Sequence, residues 1–309
     1  VQTLLDPPRS LPSARAISRH AKALQRGAQP PTLAAVDLAE RQAMAAGSRP
    51  VGGGRVITTP VLTYGLIAAF VVAWILEKVI LGRLVPAGYA QSGAADVVGA
   101  ALNDPHGRGD WWRYVSASFL HDPDSPIHLA LNCYATFIIG RTVEQYFGRL
   151  VMLSSFLVTG ATGVLLWVAA TAPGVAPIGL TLGASGGIVG WIGLLLMLGR
   201  VQGRGVSTGT AAAIRRWVGS NLLLLVFFGF INHSVNNYAH AGGFIGGVLL
   251  GLVVPPLAAI GGRALRRPEQ VLLAAVIGVS AVALGIAGMH AAQAFSGGTL
   301  QAAMRLLGL

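Results

Sequence analysis

Beyond residue 60 the chain is a succession of apolar stretches, at about 60–81, 127–147, 150–171, 185–199, 217–232, 239–256 and 270–292. A hydrocarbon core ~30 Å thick is crossed by about 20 helical residues, and inside it the backbone must satisfy its own N–H and C=O groups. Such a pattern dictates an all-α, polytopic membrane helical bundle, here with seven transmembrane helices. The 309 residues are 53% hydrophobic and only 11% charged, against about 25% charged in an ordinary soluble domain. An integral membrane protein is therefore expected, with the lipid bilayer as its surroundings.

The net charge of +11 would suit a nucleic-acid partner, but the basic residues are scattered between apolar segments rather than gathered on one face. They report topology instead. The tail before residue 56, the turn with Arg141 and Arg149, the loop with Arg200, Arg204, Arg215 and Arg216, and the loop with Arg263, Arg266 and Arg267 hold 17 Lys and Arg, whereas the opposite side holds Lys78, Arg83, Arg108, Arg113 and Arg305. The positive-inside rule then places the N-terminus in the cytoplasm and the C-terminus outside. Arginine over lysine (only Lys22 and Lys78) with abundant Ala and Gly is the usage of a GC-rich bacterial genome, which points to the inner cell membrane.

Residues 1–56, rich in Ala, Arg, Pro and Ser, read as a mobile cytoplasmic tail, although an organellar transit peptide has a similar composition. Residues 82–126 form a long outer loop in which Trp111, Trp112, Tyr114 and Phe119 mix with Arg113, Asp110, His121 and Asp122, a composition suited to the water interface. Cys133 is the one cysteine, which excludes a disulfide framework and a Cys-rich zinc module.

Polar groups inside a bilayer are expensive and mark function by default. His128 and Asn132 are spaced i, i+4 on one helix face, while Ser185 and His240 each stand at the mouth of a short apolar run. About 15 residues separate Ser185 from Gly199, or His240 from Val254, roughly 22 Å of helix in a ~30 Å core. Both side chains thus fall at similar depth on the outer side. Gly186, Gly187, Gly190 and Gly193 on one run and Gly243, Gly247 and Gly251 on the other would let the two backbones approach closely. A hydroxyl beside an imidazole is a nucleophile with its base; His128, Asn132 and the Ser185 N–H could hold an oxyanion. No acidic residue is expected within the spans to complete a triad, so the reading is a Ser/His dyad.

Other readings account for less. Gly183-Ala184-Ser185-Gly186-Gly187 also spells G-x-S-x-G, but that elbow needs a preceding strand and a soluble sheet. A retinal protein needs a lysine in its last helix, absent from 270–292, and no internal repeat suggests a transporter. A metal site from His106, His121, Asp122, Asp124 and His128 lacks any ligand spacing of known type. His233, Asn236 and Asn237 read as caps of the outer loop, His290 as interfacial, and Tyr238 as part of the wall near His240.

Taken together, Trp112-Arg113, His121, the H-x-x-x-N of His128 and Asn132, Glu144, the G-x-S-G of Gly183 to Gly186, and the H-x-x-G-x-x-x-G of His240, Gly243 and Gly247 resemble the rhomboid family of intramembrane serine proteases over roughly residues 60–260. The resemblance implies a six-helix rhomboid-like catalytic core at 57–260, with residues 261–309 adding a seventh transmembrane helix and tail as in longer members. It implies Ser185 as nucleophile, His240 as general base and then acid, and His128 and Asn132 as oxyanion stabilisers. Gly183, Gly186, Val189, Tyr238, Gly243, Trp112 and Arg113 would line or support the substrate cavity. No metal or cofactor is implied, and the partners are transmembrane protein substrates, cut in or near their helices. At Val189 the family usually carries Tyr or Phe stacked on the histidine; Trp191 lies on another helical face. A rhomboid-like protein that binds membrane clients without cutting them is the alternative function.

Overall fold

The computed structural model describes residues 59–86, 89–103, 110–171, 179–198, 208–231, 235–254 and 265–295. All lie in the unit formed by residues 51–309; residues 1–50 form the other unit. The expected tail, His106, His233, Pro255, Pro256 and the residues after 295 lie outside the described residues.

The elements run α1 (Val61–Leu84), a 3₁₀ segment (Ser92–Val98), β1 (Ala101–Leu102), α2 (Arg113–Ser116), α3 (Pro126–Ala135), a π turn (Thr136–Gly140), α4 (Arg141–Phe147), α5 (Arg149–Ala170), β2 (Leu180–Thr181), α6 (Ser185–Leu196), α7 (Thr208–Ile231), α8 (Asn237–Val253) and α9 (Arg267–Phe295). This is the all-α membrane bundle the apolar runs dictate. Helices α1, α5 and α9 are each long and apolar enough to cross a membrane, while α6 and α8 are apolar and shorter.

Three features differ from what hydropathy alone suggests. The run from Pro126 to Phe147 is helical throughout but widens into a π turn at Thr136–Gly140, an insertion that often accompanies functional sites. Helix α7 begins at Thr208 rather than 217, because Ala211 to Ala213 and Arg215-Arg216 are good helix formers that an apolarity window passes over. Thus Arg215 lies within the helix, its Nη1 donating to the Leu198 carbonyl at 3.2 Å. Third, a two-residue antiparallel ribbon pairs Ala101 with Thr181 and Leu102 with Leu180. A strand therefore does precede the serine, although it is two residues of loop pairing and not the sheet of a soluble hydrolase.

Helix α6 occupies the middle of the bundle, packed by α5, α7 and α8. From Gly186 to Leu195 every residue is buried, as expected of a helix that is apolar on all sides. Its core is an aromatic file: Trp191 lies 5.4 Å from Phe156, and Phe156 lies 5.7 Å from Phe70 of α1. Trp191 is fully buried, so its indole N–H must find acceptors; it has the Met152 carbonyl at 3.2 Å and Ser155 Oγ at 3.1 Å.

The first N–H groups of a helix have no partner within it, a severe cost where water is absent. Glu144 meets that cost for α1. Its Oε1 accepts from Leu62 N at 3.2 Å, and its Oε2 accepts from Thr63 N at 2.9 Å and Thr63 Oγ1 at 2.8 Å. The Arg149 guanidinium lies 3.4 Å away. At the other end of the bundle α9 packs on α1, α2, α5 and the 3₁₀ segment, with His290 stacked on Trp112 at 5.0 Å and Arg83 over the Phe295 ring at 4.2 Å.

Candidate active site

Ser185 opens α6, and the segment before it is tied down at each step. Asn103 Oδ1 accepts from Gly179 N at 2.6 Å, β2 pairs with β1, and Gly183 N donates to the Ala117 carbonyl at 2.8 Å. Gly183 has φ +127°, a backbone region that side chains disfavour. A Cβ there would also lie 2.9 Å from His128 Nε2. The loop between α1 and α3 thus fixes where α6 begins.

His240 sits one turn into α8. Asn236 caps that helix, its Oδ1 accepting from Ala239 N at 2.9 Å, and its Nδ2 donates to Thr181 Oγ1 at 2.8 Å. One side chain therefore joins the strand before the serine to the helix start before the histidine. The helices then meet backbone to backbone: a Cβ on Gly243 would run into the Gly186 carbonyl, and one on Gly247 into the Gly190 carbonyl. Gly163 of α5 gives the same allowance from a third side, since a Cβ there would lie 2.6 Å from the Ala239 carbonyl. At this separation His240 Nε2 lies 2.8 Å from Ser185 Oγ, a full hydrogen bond.

His128 lies across Gly183 from the serine. Its Nδ1 accepts from Asp122 N at 3.2 Å, so in the neutral ring the proton resides on Nε2. That nitrogen faces the Gly183 α-carbon beside Ser185 Oγ. Asn132, buried, uses one amide proton on the His128 carbonyl at 3.0 Å; a primary amide has a second to offer. Neighbouring His121 is fully buried, with Nδ1 3.2 Å from the Phe119 carbonyl. Burial, and then proximity to His128, lower its pKa to about 3, so it is neutral at physiological pH.

The other expected residues have different surroundings. Trp112 is 3% exposed and is sandwiched by His290 and by the Arg113 guanidinium, 4.4 Å from its ring. Arg113 binds Asp110 at 2.9 Å, the Ala100 carbonyl at 3.0 Å and the Asp96 carbonyl, which makes the pair an internal brace of the loop between α1 and α3. His290, read from sequence as interfacial, belongs to that brace. Val189 is buried and Tyr238 is exposed; among the described residues no aromatic ring stacks on His240. Sequence reasoning passed over Asn236's link to Thr181, the close approach at Gly163 and Glu77; it named Glu144 as a motif residue, but the expectation that the spans hold no acid is wrong, since Glu77 and Glu144 are both buried within apolar runs. The acids were visible as ionisable residues inside apolar runs, which is itself the signal.

A family model described as Rhomboid domain matches residues 108–257. The chain is 28% identical over 222 residues to Rhomboid protease GluP of Bacillus subtilis (strain 168), covering 70% of this chain and 39% of that protein. It is 28% identical over 163 residues to Rhomboid protease AarA of Providencia stuartii, covering 47% of this chain and 56% of that protein. RHOMBOID-like protein 7 of Arabidopsis thaliana is 31% identical over 148 residues, 46% of this chain and 42% of that protein. The chain thus spans about two fifths to just over half the length of these relatives. Apolar helices around a matched domain of this kind make the chain an integral membrane protein, and over residues 108–257 it is similar to the rhomboid family.

Proposed function

We propose that the protein is an intramembrane serine protease that cuts a peptide bond in or near the transmembrane helix of a membrane-protein substrate. The observation that carries this is the 2.8 Å contact between Ser185 Oγ and His240 Nε2, held by glycine-mediated helix contact within an apolar bundle. In this reading Ser185 Oγ attacks the substrate carbonyl carbon as His240 Nε2 takes the hydroxyl proton. The tetrahedral oxyanion receives the His128 Nε2–H, the free Asn132 amide proton and the Ser185 N–H at the start of α6. The imidazolium then gives its proton to the leaving amine as the C–N bond breaks. Water, deprotonated by His240, attacks the acyl-enzyme carbonyl, and the Ser185 oxygen leaves and recovers its proton.

The dyad reading is supported by where the acids are engaged: Glu144 serves the start of α1, and Glu77 accepts from the His121 backbone. The basic side of the bundle would be cytoplasmic and the serine would open to the outer side of a bacterial inner membrane. In liposomes holding a single-span substrate, Ser185→Ala and His240→Ala should each abolish cleavage while leaving the fold intact, and a fluorophosphonate should label the protein at Ser185 alone. Cleavage by either variant would overturn the dyad. No cleavage or labelling by the wild-type protein would favour the alternative, a rhomboid-like protein that binds membrane clients without cutting.

A further inference from the structure

Glu77 is an anomaly within α1. It is 1% exposed, and the helix around it is apolar, so a carboxyl group there is costly and adds nothing to the apolar packing of α1. What it touches is the loop between α1 and α3: Oε2 accepts from His121 N at 3.3 Å. One turn earlier on the same helix face, Trp74 Nε1 donates to the Asp122 carbonyl at 3.1 Å. The two side chains grip the N–H of one residue and the C=O of the next. Between those anchor points lies a single N–H, that of Asp122, and it is the one that donates to His128 Nδ1. The His121 ring reinforces the placement, 5.3 Å from Phe70 of α1 on one side and 5.3 Å from the His128 ring on the other.

A free imidazole distributes its proton between two nitrogens. For His128 to present a donor to an oxyanion, that proton must stay on Nε2. We infer that Trp74 and Glu77 are positioning residues that hold the Asp122 N–H against His128 Nδ1 and so keep the His128 proton on the nitrogen facing Gly183 and Ser185. The catalytic consequence rests on the protease reading above; the control of the tautomer does not.

The test uses the full-length protein in liposomes with Trp74→Phe, which keeps a ring and removes its N–H, Glu77→Leu, which removes the acceptor, the double variant, and Glu77→Gln, which restores an acceptor oxygen. In a Ser185→Ala background with ¹⁵N-labelled histidine, the nitrogen shifts of His128 should report the Nε2–H tautomer in the parent and in Glu77→Gln, and a mixture in the double variant. An unchanged tautomer in the double variant overturns the inference. If the double variant does not fold, Trp74→Phe alone decides by the same criterion.

In the active protein the double variant should lower kcat about tenfold, part of the roughly 10²- to 10³-fold worth of one oxyanion donor, with KM little changed. The loss should vanish in a His128→Ala background. A loss of equal size in that background would mean a general structural role and would also overturn the inference. Should Ser185→Ala prove to leave cleavage intact, the protease reading fails, while the nitrogen shifts still decide the positioning role.

Discussion

Replacing Gly163 by alanine should reduce cleavage about a hundredfold, although the residue lies on α5 and touches neither reacting side chain. The added Cβ would lie 2.6 Å from the Ala239 carbonyl oxygen, where ordinary contact begins at 3.4 Å. Its other near neighbours are the Ala239 carbonyl carbon at 3.4 Å and the Gly186 α-carbon of α6 at 3.6 Å, so the clash falls on the backbone at the start of α8 and not on a flexible side chain. The start of α8 must therefore shift by ~0.8 Å, the shortfall between the two separations. Ala239 directly precedes His240, and the shift passes into a Ser185–His240 contact of 2.8 Å. A displacement of about 1 Å in a catalytic constellation costs roughly 10² in rate, while overpacking costs the fold about 1–3 kcal/mol. Initial cleavage rates of a reconstituted single-span substrate, the rate of fluorophosphonate labelling and unfolding in mixed micelles would separate these effects. Gly65→Ala is the control, since nothing lies within 4 Å of its Cβ position. Cleavage by Gly163→Ala within about threefold of wild type would refute the claim that this close approach sets the serine–histidine distance.

Three further perturbations follow from named contacts. Asn236→Ala removes the α8 cap and the tie to Thr181, and should cost about 1 kcal/mol in micelle unfolding, whereas Asn236→Asp keeps the cap acceptor and should recover most of it. Glu144→Ala leaves the N–H groups of Leu62 and Thr63 without their acceptor, and should destabilise by about 3 kcal/mol or more; a loss under about 1 kcal/mol would mean that another group caps α1. His121, with its pKa lowered from 6.5 to about 3 by burial and then by His128, binds its proton more readily unfolded than folded. Stability is therefore unaffected above pH 6.5 and falls as pH drops from there toward 3, by about 2 kcal/mol at pH 5. His121→Gln should flatten that part of the pH profile, and an unchanged profile would assign the acid sensitivity to other groups.

The helices were legible because each apolar run records its own solvent, and the serine–histidine pairing because glycines at four-residue spacing announce a close helix contact on both partners. The start of α7 was not, since Thr208 to Arg216 is helical without being apolar. A two-residue strand such as Leu180–Thr181 has no periodicity to detect. The ties around the site are long-range and rest on one hydrogen bond each: Asn236 to Thr181, Trp74 to Asp122 and Glu77 to His121. Nothing in the spacing of those residues encodes their partners. Trp112-Arg113 shows the converse, a motif evident in the sequence whose side chains face inward to brace a loop.

Burial along α6 decides how such a site could be wet. Hydrolysis consumes one water per bond cut, yet from Gly186 to Leu195 the helix is buried on every side, and admitting water along it would expose unpaired polar groups at a cost of several kcal/mol each. At its N-terminal mouth Leu182, Gly183 and Ser185 are half-buried. That mouth is built from loop backbone held by β1, by Asn103 and by the Ala117 carbonyl, where main-chain polar groups beside water cost little. A 12-residue helix, about 18 Å long, is shorter than a ~30 Å hydrocarbon slab, so under the proposed function its N-terminal mouth would leave room for water above the serine. If Ser185 is acylated as proposed, the deacylating water must arrive from the end of the bundle where α5 finishes at Ala170, opposite the end where it begins at Arg149. The shortness of α6 is then a requirement of hydrolysis within a membrane, and lengthening its apolar run toward Thr181 would starve the reaction of water before it disturbed the contact between Ser185 and His240.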